Sequence, residues 1–199
     1  MYCISFFAIS FNIRGDYAVY FHKAVTLKNG NQCLLRNAEG TDAEEFLDYF
    51  IKAHGETDYL TTYPDETGDD LSKMSDRLAS TSQSDHAIEI VAVIDGRIAG
   101  SAGISMINPR DKTKHRAEFG VSVLKDYWGM GIGNALTAAC IDCARKAGYL
   151  QLELDVVAQN QSAVNLYLKH GFEEYGRNPR GFRTRDGRWQ ELVLMRLPL

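Results

Sequence analysis

The chain has 199 residues, of which 45% are hydrophobic and 24% are charged, and its formal net charge is −4. Such a composition is typical of a globular protein with a sizeable core, and the length fits one domain. The acidic balance argues against nucleic acid as a main partner. No run approaches the roughly 18 apolar residues of a membrane helix, so we expect no membrane span and no membrane partner.

The cysteines predict a reduced, cytoplasmic protein rather than a metalloprotein. Cys140 and Cys143 form a C-x-x-C, but no second pair and no His at ligand spacing accompany it. Small thiols on the buried face of a helix explain this spacing better than zinc or redox chemistry does. The apolar run near Met1 has no charged residue before it and no evident cleavage site, so we expect no signal peptide.

Residues 1–30 are predicted to be an N-terminal extension that contains one or two strands. Its role stays open between an added strand, a homodimer contact and a misplaced start codon. Residues 31–199 are predicted to form one domain. It begins with a strand, and the spacing of Thr41 and Glu44 then predicts a capping box before the first helix.

An acidic loop follows at residues 56–70, and it includes Asp65, Glu66, Asp69 and Asp70. A solvated loop would explain this charge, but a lip that attracts an amine-bearing substrate would explain it too. After a second short helix, two β-branched runs flank Asp95-Gly96, which predicts a tight hairpin.

The stretch from Arg116 to Asn134 runs from a strand through Gly129, Gly131 and Gly133 into a helix. Glycines let backbone N–H groups converge on an anion, and the start of a helix adds further N–H groups and a positive dipole end. The sequence therefore predicts a phosphate or pyrophosphate cradle here. A buried strand, a short helix from Asn160 to Gly171 and a hairpin at Asp186-Gly187 complete the chain.

From residue 31 the predicted order is β-α-α-β-β-β-α-β-α-β-β. This is an α/β fold, with a mixed and mostly antiparallel sheet, one parallel β-α-β unit from Arg116 to Val157, and helices flanking it.

Two phosphate-binding motifs do not fit the glycine loop. A P-loop requires G-x-x-x-x-G-K-[ST], whereas Asn134, Ala135 and Leu136 follow Gly133 without a lysine. A dinucleotide fingerprint requires glycine at position 134 or 136, and neither position has one.

Two segments together resemble the GNAT superfamily of N-acetyltransferases. WGMGIGNAL, residues 128–136, is similar to its Q/R-x-x-G-x-G/A loop, and NQSAVNLYLKHGF, residues 160–172, is similar to its N-x-x-A-x-x-L-Y-x-x-x-G-F segment. One helix and one strand separate them, as in the family. Trp128 is a departure, because the family often has Gln or Arg there.

The resemblance implies an acetyl-CoA enzyme with the following site. Backbone groups on the strand Val121, Ser122 and Val123 would pair with the pantetheine arm of the cofactor. The amides of Gly129, Met130, Gly131, Ile132, Gly133 and Asn134 would hold its pyrophosphate. Asn160 and Ala163 would contact the cofactor or acyl arm, and the Tyr167 hydroxyl would supply a proton to the departing thiolate.

Direct transfer of acetyl to a primary amine needs no metal, but it needs a base because such an amine is mostly protonated at neutral pH. Glu118, on the strand that leads to the cofactor, is the first candidate, with Asp155, His170 or a water relay as alternatives. We expect a small-molecule or peptide amine, and the acidic loop favours a cationic one. A non-catalytic sensor of acyl-CoA is the alternative function.

Overall fold

The computed structural model describes residues 19–66, 68 and 70–199. The strands in this part of the chain are β1 (His22–Thr26), β2 (Gln32–Asn37), β3 (Ile88–Ile94), β4 (Arg97–Met106), β5 (Arg116–Val123), β6 (Gln151–Val157), β7 (Glu173–Arg183) and β8 (Trp189–Pro198). The helices are α1 (Ala43–Gly55), α2 (Leu71–Ser82), α3 (Ile132–Lys146) and α4 (Gln161–Lys169). None of these helices is long and apolar enough to cross a bilayer.

The described strands form one sheet in the order β1-β2-β3-β4-β5-β6-β8-β7. Among the described strands, only β5 and β6 pair in parallel, and α3 connects them. Between β3 and β4, Asp95 and Gly96 both have positive φ, as the two-residue turn of a tight hairpin requires. The predicted mixed sheet with one parallel β-α-β unit is therefore confirmed.

The helices cover both faces of the sheet. On β3, Ile90 and Ala92 belong to the core beneath α3 and α4, whereas Val91 belongs to the core beneath α1 and α2. Alternate residues of a strand point to opposite faces, so the two helix pairs lie on opposite sides. This two-sided burial explains why β3 is a nearly continuous apolar run.

Part of the predicted N-terminal extension belongs to this sheet. β1 pairs with β2 from His22 to Thr26, and a turn at 27–30 joins the two strands. Residues 1–18 lie outside the described residues, and so does Cys3. The division of the chain at residue 31 stays a prediction.

The predicted capping box before α1 is wrong in its residues. The chain enters α1 through a 3₁₀ turn at Gly40–Asp42, and the N–H of Glu39 donates to Asp42 Oδ2 at 2.8 Å. Arg36 on β2 also donates to Asp42, with Nη2 to Oδ1 at 2.7 Å. The carboxylate of Asp42, which also binds Arg36 on β2, therefore forms the cap that Thr41 was expected to form.

The expected buried thiols are confirmed. Cys140 and Cys143 lie on the buried face of α3, and both are free thiols, as is Cys33. Burial raises the pKa of Cys140 and raises that of Cys143 to about 11. Neutral thiols of this kind fill space in the core and are poor nucleophiles.

Candidate functional site

The N-terminal end of α3 carries a row of unused backbone donors. Gly129 and Gly131 have φ values of +78° and +96°, a region that glycine adopts without strain. The first bond of α3 runs from the Ala135 N–H to the Gly131 carbonyl at 3.0 Å. Within the described residues, the N–H groups of residues 129–134 donate to no protein acceptor. Amides in this arrangement, at the positive end of a helix dipole, form an anion-binding site.

Gly133 contributes close packing rather than an unusual backbone conformation. It lies inside α3, and a Cβ placed on it would lie 3.4 Å from Leu166 Cδ2 on α4. The small side chain therefore lets the first turn of α3 approach α4. Of the three glycines predicted for the cradle, only Gly129 and Gly131 shape the turn itself.

A gap opens in the sheet beside this turn. β5 and β6 pair only from Arg116 to Glu118, although β5 continues to Val123 and β6 to Val157. Over its whole length β6 pairs with β8 on its other side. The second half of β5 consequently has a free edge that faces away from β4.

The register of β5 decides which backbone groups face the gap. The Leu124 N–H donates to the carbonyl of Ala99 on β4 at 2.9 Å. Because backbone groups alternate in direction along a strand, those of Val121 and Val123 point into the gap. Ser122 points to β4 instead, and its carbonyl accepts the Tyr49 hydroxyl from α1 at 2.9 Å.

One of the groups that face the gap is already engaged. The indole Nε1 of Trp128 donates to the Val123 carbonyl at 2.7 Å. The N–H and carbonyl of Val121 and the N–H of Val123 remain for an extended ligand. The departure of Trp128 from the usual Gln or Arg thus has a structural role, which the sequence motif did not reveal.

Asn160 and Ala163 bind each other as the N-cap of α4. The Asn160 Oδ1 accepts the Ala163 N–H at 3.2 Å. This bond satisfies one of the otherwise unpaired donors at the start of the helix. The structure thus places both predicted cofactor residues at one helix start.

Tyr167 lies close to the point where β5 and β6 part. Its ring centroid is 6.1 Å from that of Phe119, the first β5 residue without a partner on β6, and 5.7 Å from that of Phe172. Burial raises the pKa of the Tyr167 hydroxyl, so the group stays protonated over the physiological range. A protonated phenol at this position can serve as a proton donor.

Three carboxylates lie on the opposite face of the sheet from α3. Glu118 is exposed and lies beside Glu153 in the parallel register, and Asp155 follows two residues later on the same face. Arg116 pairs with Glu153, with Nη2 to Oε2 at 2.6 Å, and lowers the pKa of that carboxyl. Partial desolvation and the charge of Glu153 raise the pKa of Asp155. A raised pKa at a partly buried carboxylate is the environment expected of a base.

His170, the remaining alternative base, is at the C-cap of α4. Burial lowers the pKa of its imidazole, and its Nε2 atom is buried without a hydrogen-bond partner among the described residues. It does not belong to the carboxylate face that carries Glu118 and Asp155.

A cleft of about 960 Å³ lies next to the segment between β5 and α3, residues 124–131, which we call the cofactor loop. The loop after α1, the beginning of β8, Gln159 and Trp128 line it. Its aromatic residues are Tyr59, Tyr63, Trp128 and Trp189, and its charged residues are Glu56, Asp58 and Arg188. Trp128 therefore contacts both the β5 edge and this cleft.

The acidic residues singled out in the loop are largely used within the protein. Arg185 donates to both carboxylate oxygens of Asp65, at 2.7 and 2.9 Å, and lies over the Tyr63 ring. Glu66 accepts the Tyr63 N–H, and Asp70 caps α2. Asp69 lies outside the described residues. The acidic residues that line the cleft are Glu56 and Asp58. The composition of the loop alone did not distinguish these two from its other acidic residues.

Glu56 also joins α1 to the cofactor loop. Its Oε2 accepts the Lys125 N–H at 2.7 Å, and the neighbouring Lys52 forms an ion pair with Asp126 at 2.9 Å. Contacts from the C-terminal end of α1 thereby fix the segment between β5 and the glycine turn.

Comparison with known proteins agrees with this geometry. Residues 45–172 match the Acetyltransferase (GNAT) family. The chain belongs to the GNAT family. Acetyl-CoA is the cofactor of this family, whose members are acyl-CoA-dependent N-acetyltransferases.

Individual relatives show how far the similarity extends. The chain is 30% identical over 108 residues to an L-amino acid N-acetyltransferase of Escherichia coli, a match that covers 54% of this chain and 65% of the relative. The chain thus spans slightly less than two thirds of that relative. It is 27% identical over 165 residues to an L-methionine sulfoximine/L-methionine sulfone acetyltransferase of Pseudomonas aeruginosa, which covers 83% of this chain and 94% of that relative.

A solved structure gives the same picture. The crystal structure of a GNAT-family acetyltransferase from Streptococcus pneumoniae superposes with a TM-score of 0.79 at 31% identity. The superposition covers 84% of this chain and 99% of that one.

The residues of this chain fit acetyl-CoA at two independent places. The amides of residues 129–134 suit a pyrophosphate, because they offer donors without internal acceptors. The free groups of Val121 and Val123 suit an amide-containing arm that adds to a strand edge. Both sets belong to one continuous segment, so one ligand can contact both.

Substituting Gly131 with Ala should weaken cofactor binding more than it weakens the fold. Alanine is disfavoured at φ +96°, so the turn must shift and its amides lose their convergence. We expect the Kd for CoA to rise about tenfold or more, as the loss of one hydrogen bond to a charged group implies. Isothermal titration calorimetry measures the Kd, and urea unfolding measures the stability.

Gly148→Ala is the matched control. Gly148 has φ +79° just beyond the other end of α3, so the backbone penalty is similar while the cradle is untouched. CoA affinity should stay within about twofold of wild type. Equal losses of affinity in the two variants would contradict the assignment of the cradle.

Proposed function

We propose that this chain is a cytoplasmic N-acetyltransferase that moves the acetyl group of acetyl-CoA directly to the α-amine of a free amino acid. The observation that carries the proposal is the cleft that shares Trp128 with the β5 edge, because a cleft beside the cofactor segment has room for an acceptor amine. The free thiols of Cys140 and Cys143 support a reducing compartment.

The lining of the cleft supports an amino acid as acceptor. An ammonium group is attracted by Glu56 and Asp58 and by the faces of aromatic rings. Arg188 lines the same cleft. Its Nε donates to Asp186 and its Nη2 lies 3.9 Å from Asp58, and the remaining guanidinium N–H groups can donate to a substrate carboxylate. Both relatives described above are named for acetylation of amino acids or their derivatives, which supports the same choice.

The chemistry divides between two groups of residues. The acceptor amine has to lose a proton before it can attack, and the carboxylates of Asp155 and Glu118 are the proposed acceptors, directly or through water. Tyr167 holds a proton at its hydroxyl oxygen on the other side of the sheet gap, available to the departing thiolate, which leaves as the thiol. Acetyl-CoA, when bound, supplies the acetyl group as a thioester.

A panel of amines tests the function directly. We expect CoA release, measured with a thiol reagent, to be faster with L-amino acids than with the matching amines that lack the α-carboxylate, and faster than with polyamines. Tyr167→Phe removes the proton donor and should lower kcat about 100-fold without changing the Kd for CoA. CoA binding with no release on any amine would contradict the proposal and indicate an acyl-CoA sensor.

Charge variants test the acceptor cleft within the same assay. Asp58→Asn should raise KM for the accepted amine several-fold, because it removes a charge from the lining. Asp65→Asn is the control, since Asp65 and its partner Arg185 lie outside the lining, whereas Asp58 and its neighbour Arg188 belong to it. Equal effects of the two variants would contradict the cleft as the acceptor site.

The pH profile distinguishes the two candidate bases. A base must be deprotonated, so kcat/KM should fall as the pH falls through the raised pKa of Asp155. Asp155→Asn should lower kcat/KM about 100-fold or more and remove this acidic limb, whereas Glu118→Gln should keep the limb. If the fall of kcat/KM at acidic pH disappeared only in Glu118→Gln, Glu118 would be the base.

A further inference from the structure

The turn between β1 and β2 reaches the cofactor loop. The Lys28 N–H donates to the Met130 carbonyl at 3.1 Å, and Asn29 Nδ2 lies 3.4 Å from Met130 Sδ. Met130 stands between the two glycines that shape the cradle. A turn that lies 101 residues earlier in the chain, counted from Asn29 to Met130, is thereby fixed against the cradle.

The side chain of Lys28 extends along Gly131. A Cβ on Gly131 would lie 3.7 Å from Lys28 Cγ and 3.9 Å from Lys28 Cε. Within residues 19–66, 68 and 70–199, no carboxylate lies within 4.0 Å of the Lys28 ammonium. The side chain is exposed, so the ammonium can reach an anion held at the cradle.

The cradle has no cationic side chain of its own. From Asp126 to Ala144 the sequence contains neither Lys nor Arg, and Trp128 occupies the position where the family often has Gln or Arg. Backbone amides supply partial charges, but they do not balance the full charges of a phosphate. A second lysine, Lys169, lies at the other end of the cradle, but its Nζ already donates to Asn134 Oδ1 at 3.0 Å.

We propose that Lys28 binds a phosphate group of the cofactor and supplies the positive charge that the glycine loop lacks. The inference rests on acetyl-CoA as the ligand of the cradle. It gives the β1–β2 turn a binding role and makes β1 part of the cofactor site. The pyrophosphate and the 3′-phosphate of CoA share the chemistry that Lys28 would recognise.

Calorimetric titration with CoA at low ionic strength tests the proposal. Lys28→Ala should raise the Kd about fivefold to tenfold, the range for an exposed charge-assisted contact, and should reduce the dependence of Kd on salt. Lys28→Arg keeps the charge and should stay within about twofold of wild type. Lys23→Ala makes the same change of net charge on β1, opposite Leu35, and should leave the Kd unchanged.

Titration with 3′-dephospho-CoA identifies the phosphate. A loss of affinity in Lys28→Ala that disappears with this ligand assigns Lys28 to the 3′-phosphate, and a loss that persists assigns it to the pyrophosphate. Equal CoA affinity of wild type and Lys28→Ala, or equal losses in Lys28→Ala and Lys23→Ala, would overturn the role of Lys28 while leaving the acetyltransferase proposal intact. A wild type that binds no CoA would overturn both.

Discussion

The backbone N–H groups of residues 129–134 are the feature on which the site depends. A buried or ligand-facing amide without an acceptor costs free energy, so a row of them persists only where water or a ligand can bind. Gly129 and Gly131 create the row because their positive φ values turn the chain sharply into α3. The core beneath α3 holds the helix in place, since Ile132 and Leu136 are almost fully buried in its first turns.

The gap between β5 and β6 is the second constraint, and it is coupled to the first. β6 leaves β5 to follow β8, so the edge of β5 that leads into the glycine turn stays open. Tyr49, Glu56 and Trp128 hold the end of β5 and the residues after it through hydrogen bonds to Ser122, Lys125 and Val123. Glu56 and Trp128 also line the cleft, so two of the contacts that hold this segment shape one wall of the cleft as well.

The order of elements and the glycine turn before α3 could be predicted because their signals are local. Hydrophobic periodicity, the Asp95-Gly96 turn and the glycine loop each act within a few residues of sequence. The contacts that join distant segments could not be predicted in this way. Nothing in the sequence near Lys28 or Glu56 indicates that these residues contact the segment after β5. The acidic residues of the loop at 56–70 look alike in sequence, and only the fold shows which arginine or backbone amide each one binds. Trp128 gave a partial signal, because it departs from the family motif.

Hydrogen–deuterium exchange of the wild-type protein with and without CoA tests the central claim most directly. Amides that donate to a bound ligand exchange slowly, whereas amides that face water exchange fast. The account predicts that CoA slows exchange of the amides of residues 129–134 together with those of Val121 and Val123, and leaves Ser122 and the far end of α3 nearly unchanged. Protection confined to other segments, or none in residues 129–134 at saturating CoA, would contradict it.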